Sequence, residues 1–235
     1  MPRLATYLVP EPDSRFYQIG SEILGWDVYA EREVPLAAAL AARAPDLREW
    51  VGSAQHFGFH ATIGDALEYT ADVVETIERL LDEIAAETAP FELVQGRIHD
   101  TFRSFPTTLA ATFDCPNRAL NRLEERVVTQ VNALYSDSPM FGPRAARYNE
   151  QQRANLDRYG SPNILSLFDL HFSLATSLPN GSSWHLMADL VRNEGGLFAT
   201  PEQQSWTVDK VHLLEKRCDD RYRIRRTYSL TGQQP

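Results

Sequence analysis

Two short apolar segments, far apart in the chain, repeat one pattern and constrain the fold more than any other feature. Phe59-His60-Ala61-Thr62-Ile63 and Leu170-His171-Phe172-Ser173-Leu174 each set a His-x-Thr/Ser triplet among apolar neighbours. Such alternation predicts a half-buried strand. In a strand, side chains two apart share a face, roughly 7 Å apart along the chain. Each segment would therefore present an imidazole and a hydroxyl together and bury the residues between them. A third triplet, His99-Asp100-Thr101, is followed by Arg103 and Ser104 and lacks the apolar frame, so it reads as a turn.

The order of elements after each segment is the same: helix, strand, strand. After the first, Val73, Val74, Ile77, Leu80, Leu81 and Ile84 recur at helical spacing. Strands are expected over 91–98 and 107–113. Asn117 can cap the next helix, with Leu120, Leu123, Val127 and Val131 inward. After the second, a helix is expected from Ser182 or Ser183, then strands over 206–214 and 222–230. Upstream, residues 4–9 suit a buried strand. Ser14 can cap a helix that ends near Gly25. Residues 136–149 form a long loop, and a short polar helix over 151–159 closes at Gly160. The two histidines stand nearly half the chain apart, which invites a two-fold arrangement with both motif strands on one cleft. The expected class is α+β: a single bilobal domain over 1–235, of pseudo-symmetric antiparallel lobes with helices outside. The motif strands are placed at about 57–64 and 168–175.

Composition narrows the partners. Of 235 residues, 32 are acidic and 23 are Lys or Arg, for a net charge of −9. Such a chain is a poor binder of long nucleic acid, duplex or otherwise, whose affinity rests on neutralised phosphates. Locally focused cations can still hold a small phosphate. Lys216, Arg217, Arg221, Arg223, Arg225 and Arg226 concentrate such charge in one hairpin, which also reads as a solvated charged edge. No apolar run has the length of a membrane span. The N-terminal residues read as a strand rather than a secretory signal. Two cysteines without a Cys-x-x-Cys pair suggest neither a disulfide framework nor zinc. A reducing cytoplasm is the expected setting.

Paired imidazoles and hydroxyls have a specific chemical use. Histidine, with a pKa near 6.5, can serve as base or acid close to neutral pH. Hydroxyls can hold phosphoryl oxygens as charge builds on them. His60 and His171 are thus candidate catalytic groups, and Thr62 and Ser173 candidate phosphate ligands, for opening a small cyclic phosphodiester without a metal or cofactor. Three other readings compete. His56 and His60 have the i, i+4 spacing of a helical zinc pair, but Gly58 and the aromatic neighbours disfavour a helix and no glutamate follows His56. A nucleotide or cyclic-phosphate binding module would keep the pocket without turnover. A structural role would bury both histidines.

The two motifs resemble the hallmark of the 2H phosphoesterase superfamily, and the chain is similar to a bacterial branch associated with phosphonate metabolism. The resemblance is carried by residues 4–8, 16–26 and 57–62, and by 151–160 leading into His171-Phe172-Ser173. It implies a bilobal fold with a central cleft and hydrolysis of 2′,3′-cyclic phosphates on nucleotides or RNA ends, or of a cyclic phosphate on a phosphorylated ribose. Where the branch continues its first motif with a lysine and a proline, this chain has Ile63-Gly64-Asp65-Ala66. By strand alternation Gly64 would take the lysine's place on the His60 face. His56 falls on that face too if the strand extends so far, and otherwise is a surface histidine. Tyr7, Arg223 and Arg225 are further candidates for the cleft.

Overall fold

The fold is built on one eight-stranded antiparallel sheet with helices packed against it. The computed structural model describes residues 1–36, 38–99, 107–194 and 196–233. Strand β1 (Arg3–Leu8) leads into helix α1 (Arg15–Leu24), then a two-residue hairpin of β2 (Trp26–Asp27) and β3 (Arg32–Glu33). Short helices α2 (Ala38–Arg43) and α3 (Leu47–Val51) precede β4 (Ala61–Glu68), which carries the first motif. Helix α4 (Val74–Glu87), strands β5 (Phe91–His99) and β6 (Leu109–Asp114), and helices α5 (Ala119–Gln130) and α6 (Glu150–Tyr159) follow. The second motif enters β7 (Phe172–Ala175), and α7 (Gly181–Asp189), β8 (Trp206–Val208), β9 (Lys210–Lys216) and β10 (Tyr222–Ser229) complete the chain.

Local signals set several of these boundaries. The Ser14 hydroxyl accepts the Tyr17 N–H at the start of α1, and Gly25 ends that helix in the left-handed conformation. Asn149 and Gln152 form a reciprocal capping box on α6, and Gly160 closes it. At α5 the cap falls one residue later than expected, on Arg118, while the Asn117 side chain accepts the Ala119 N–H. At α7 the cap is Asn180, whose side chain accepts the Ser183 N–H, so the helix starts before the two serines. The stretch 136–149 is not wholly irregular, because Gly142–Arg147 is a 3-10 helix.

The strand order is β10-β9-β1-β4-β7-β6-β5-β8. The two motif strands are the central neighbours, joined through Ala61 opposite Phe172. Four strands lie on each side, which gives the two lobes. The lobes are not the two halves of the sequence. Strands β5 and β6, which follow the first motif, pair on the β7 side, whereas β9 and β10, which follow the second, pair with β1 on the β4 side. β7 thus sits beside the hairpin that follows the first motif, while β1 stands between β4 and the hairpin that follows the second.

One expected strand, 206–214, is broken in two. Residues of β8 pair with β5 at one edge of the sheet, and after Asp209 those of β9 pair with β1 in the other lobe. Consecutive strands at opposite ends of one sheet require it to curl back on itself. The buried face is lined by aromatic rings. Phe16 of α1 contacts Phe59 and Phe172 at 4.9 and 5.2 Å, and those two rings are 5.1 Å apart. The residues flanking the two histidines therefore form the core on the reverse face of the sheet. The third triplet differs from its expected turn: His99 ends β5 opposite Ala110, and Asp100 and Thr101 lie outside the described residues.

Candidate active site

Both motif strands start four residues later than expected, at Ala61 and Phe172, so His60 and His171 are the last residues of the turns leading in. The reason is shared. The Nδ1–H of His60 donates to the Gly58 carbonyl at 2.8 Å, and the Nδ1–H of His171 donates to the Asp169 carbonyl at 2.8 Å. Each imidazole clasps the carbonyl two residues before it, which an extended strand would carry out of reach. Gly58 makes its turn at φ 71°, where a side chain is strained, and a Cβ there would meet Val28 Cγ1 at 2.3 Å.

These bonds set the chemistry. A carbonyl can only accept, so Nδ1 holds the proton in each neutral ring and Nε2 offers its lone pair. The Thr62 hydroxyl lies 3.3 Å from His60 Nε2 and donates to it. The register with Ala61 opposite Phe172 sets His60 across from Ser173 and Thr62 across from His171. All four side chains are partly exposed, whereas Phe59, Ala61, Ile63, Phe172 and Leu174 between and beside them are buried. The four groups expected from the sequence therefore share one open face.

Tyr7 does not line the cleft as an exposed group. It is buried and stacks under His60, with ring centroids 3.7 Å apart and planes 16° from parallel. Burial holds the His60 imidazole down to about 4, only partly offset by its bond to Gly58. His60 is thus neutral at pH 7.

The expected alternation beyond Thr62 fails. Tyr7 pairs with Thr62 but the adjacent Thr6 pairs with Gly64, so β4 bulges between them. The bulge turns Gly64 into the core, where an added Cβ would lie 2.9 Å from both Asn132 Oδ1 and Val127 Cγ1. Asp65, not Gly64, reaches the open face. It bonds to the Ser161 hydroxyl and lines a cavity of about 180 Å³ with Thr62, Phe141, Phe168, Asp169 and His171. Sequence alternation could not locate Asp65, since a bulge leaves no residue signature here.

The remaining candidates separate. His56 ends a 3-10 helix over Gly52–His56 and lies on no strand face with His60, and no helix joins the pair. It lines a second cavity, of about 490 Å³, with Arg3, Phe57, Arg144, Lys216 and Tyr222. Arg223 pairs with Glu215, and Arg225 with Glu78 of α4 and Glu215, so neither turns to the motif cleft. Of the hairpin cations only Lys216 lines that cavity. Arg3 and Arg144 carry no local sequence signal of it, because distant segments bring them together. Among the described residues no group of three or more His, Cys, Asp or Glu is placed to hold a metal. No helix there is long and apolar enough to cross a membrane.

The paired motifs at the junction of two four-stranded lobes define a 2H phosphoesterase fold. The solved structure of TT0787 from Thermus thermophilus superposes with a TM-score of 0.51 at 16% identity, covering 99% of this chain and 100% of that one. E. coli LigT complexed with 3′-AMP superposes with a TM-score of 0.50 at 15% identity, covering 99% and 100%. More narrowly, residues 66–222 match the family described as a protein of unknown function (DUF1045), and the chain belongs to that family. The matched region begins after the first motif and includes the second. A curated relative, ribose 1,5-bisphosphate phosphokinase PhnN of Laribacter hongkongensis (strain HLHK9), is 29% identical over 181 residues. Those residues are 75% of this chain but only 40% of that protein.

Proposed function

We propose that this protein is a metal-independent phosphoesterase that opens a small cyclic phosphodiester by two-histidine acid–base catalysis. One observation carries the reading: twin Nδ1–carbonyl bonds fix both imidazoles in the same tautomer at the junction of the two motif strands, with Thr62 and Ser173 across the strand pair. His60, held neutral, takes a proton from water through Nε2. The water oxygen bonds to phosphorus as the bond from phosphorus to one ring oxygen breaks. His171, protonated at both nitrogens, gives its Nε2 proton to that departing oxygen, leaving a phosphomonoester. Thr62 and Ser173 donate to the non-bridging oxygens, bonds that strengthen as charge develops. Asp65 lines the same cavity as His171.

The substrate is a 2′,3′-cyclic nucleotide, an RNA end, or a cyclic phosphate on a phosphorylated ribose. The net charge of −9 favours a small molecule over a long polyanion. The ribose bisphosphate named in the relative, and the LigT structure with 3′-AMP, support a ribose-linked phosphate. The test is a panel of 2′,3′-cyclic nucleotides and cyclic ribose phosphates. His60→Ala and His171→Ala should each lower turnover at least about a hundredfold. Undiminished activity in either variant refutes the assignment. Retention of ligand without cleavage would instead indicate a binding module on the same fold.

A further inference from the structure

The 490 Å³ cavity lined by His56 has a chemical peculiarity: it is rich in donors and short of acceptors. Arg3, Arg144 and Lys216 bring three cations to its wall. The one carboxylate in the lining, Asp220, is held by Lys216 at 2.5 Å. Arg3 reaches away to Glu68 with one terminal nitrogen. Arg144 is exposed and pairs with no carboxylate among the described residues. Three buried polar atoms of this same wall have unmet demands. Arg3 Nε and His56 Nδ1 make no hydrogen bond, and the Tyr222 hydroxyl has only the Arg3 guanidinium beside it, which cannot accept its proton. A buried donor left unsatisfied is destabilising, so Arg3 Nε, the Tyr222 hydroxyl and, in the tautomer that protonates it, His56 Nδ1 favour an acceptor-rich occupant.

The cavity adjoins the motif cleft. Phe57 forms part of its wall and stacks on Tyr222 at 4.8 Å, and the same ring lies 6.0 Å from that of His60. The segment of Pro139, Met140, Pro143 and Arg144 lines this cavity, while Phe141 lines the one beside His171. One stretch of chain thus borders both.

We propose that this cavity is a second anion subsite, which holds a phosphate other than the one being opened and so selects a ribose carrying two phosphate groups. This deepens the phosphoesterase reading and rests on it for the substrate, though not for the binding of the anion. In a protein of net charge −9, a wall with three cations and one carboxylate focuses positive potential where an anionic tail would extend from the cleft.

Two measurements test it on the full chain. In the first, ribose 5-phosphate is titrated into wild type, Arg144→Ala and Arg144→Ala/Lys216→Met, followed by calorimetry and by the His56 imidazole NMR signals. The wild-type His56 signals should shift with the calorimetric midpoint. Affinity should fall several-fold in the single variant and at least tenfold in the double. Affinity within twofold of wild type in both variants, or an unmoved His56, overturns the subsite. In the second, kcat/KM is compared for a ribose cyclic phosphate with and without a 5-phosphate. The preference should exceed tenfold in wild type and collapse in the double variant through KM, with the unphosphorylated substrate unaffected. A wild-type ratio near one overturns the selectivity. If no cyclic substrate turns over, the phosphoesterase reading fails and the first measurement still decides the subsite.

Discussion

The stacking of Tyr7 on His60 links packing to acid–base behaviour and yields a quantitative test. Burial lowers the His60 imidazole from 6.5 to about 4. At about 1.4 kcal/mol for each pH unit, that displacement corresponds to roughly 3 kcal/mol in favour of the neutral ring. A base must be unprotonated, so activity falls as pH drops through its pKa, and the acid limb of kcat/KM should lie near 4. Tyr7→Leu removes the ring stacked 3.7 Å away and admits water, so the limb should rise by one unit or more toward 6.5. Tyr7→Phe keeps the stack and should leave the limb in place. The assay is kcat/KM against pH on a cyclic phosphate, paired with NMR titration of the His60 ring, which needs no turnover. A wild-type His60 that titrates near 6.5, or a limb unmoved in Tyr7→Leu, would refute the reasoning.

Stability should also respond to acid. His212, buried beside Tyr29 and Thr227, is likewise lowered to about 4, first by burial. A histidine with a depressed folded pKa stabilises fully above 6.5 and loses that contribution as pH falls toward 4, because the unfolded chain binds the proton first. Each of His60 and His212 should cost about 2 kcal/mol between pH 7.5 and 5; in denaturant titrations His212→Phe should remove roughly half of the combined slope. Gly64→Ala should destabilise by about 1–3 kcal/mol, since its Cβ would press on Asn132 and Val127, and an unchanged denaturation midpoint would place that residue outside the core.

Features that depend on neighbours in sequence were legible from it. The Ser14 and Gly25 ends of α1 follow from local hydrogen bonding and glycine's left-handed freedom. So did the two motifs, because alternation with Phe59 and Phe172 reports which side faces the core. What failed depends on distant partners. The bulge that exchanges Gly64 for Asp65 arises from how β4 meets Thr6 and Tyr7. The strand pairing that places β5 and β6 beside β7 is a choice among antiparallel partners that local pattern does not rank. Arg223 and Arg225 looked available because their acids, Glu215 and Glu78, come from β9 and α4. The second cavity was hidden for the same reason, with walls drawn from Arg3, His56, Arg144 and Lys216.

The account depends on both motifs meeting one phosphate. A crystal soaked with vanadate, which mimics phosphorus under attack, tests this most directly. The account predicts one vanadate between β4 and β7, within about 2.6–3.2 Å of Nε2 of both His60 and His171, with oxygens on Thr62 and Ser173. Vanadate bound to one motif alone, with the other histidine out of reach, would contradict it.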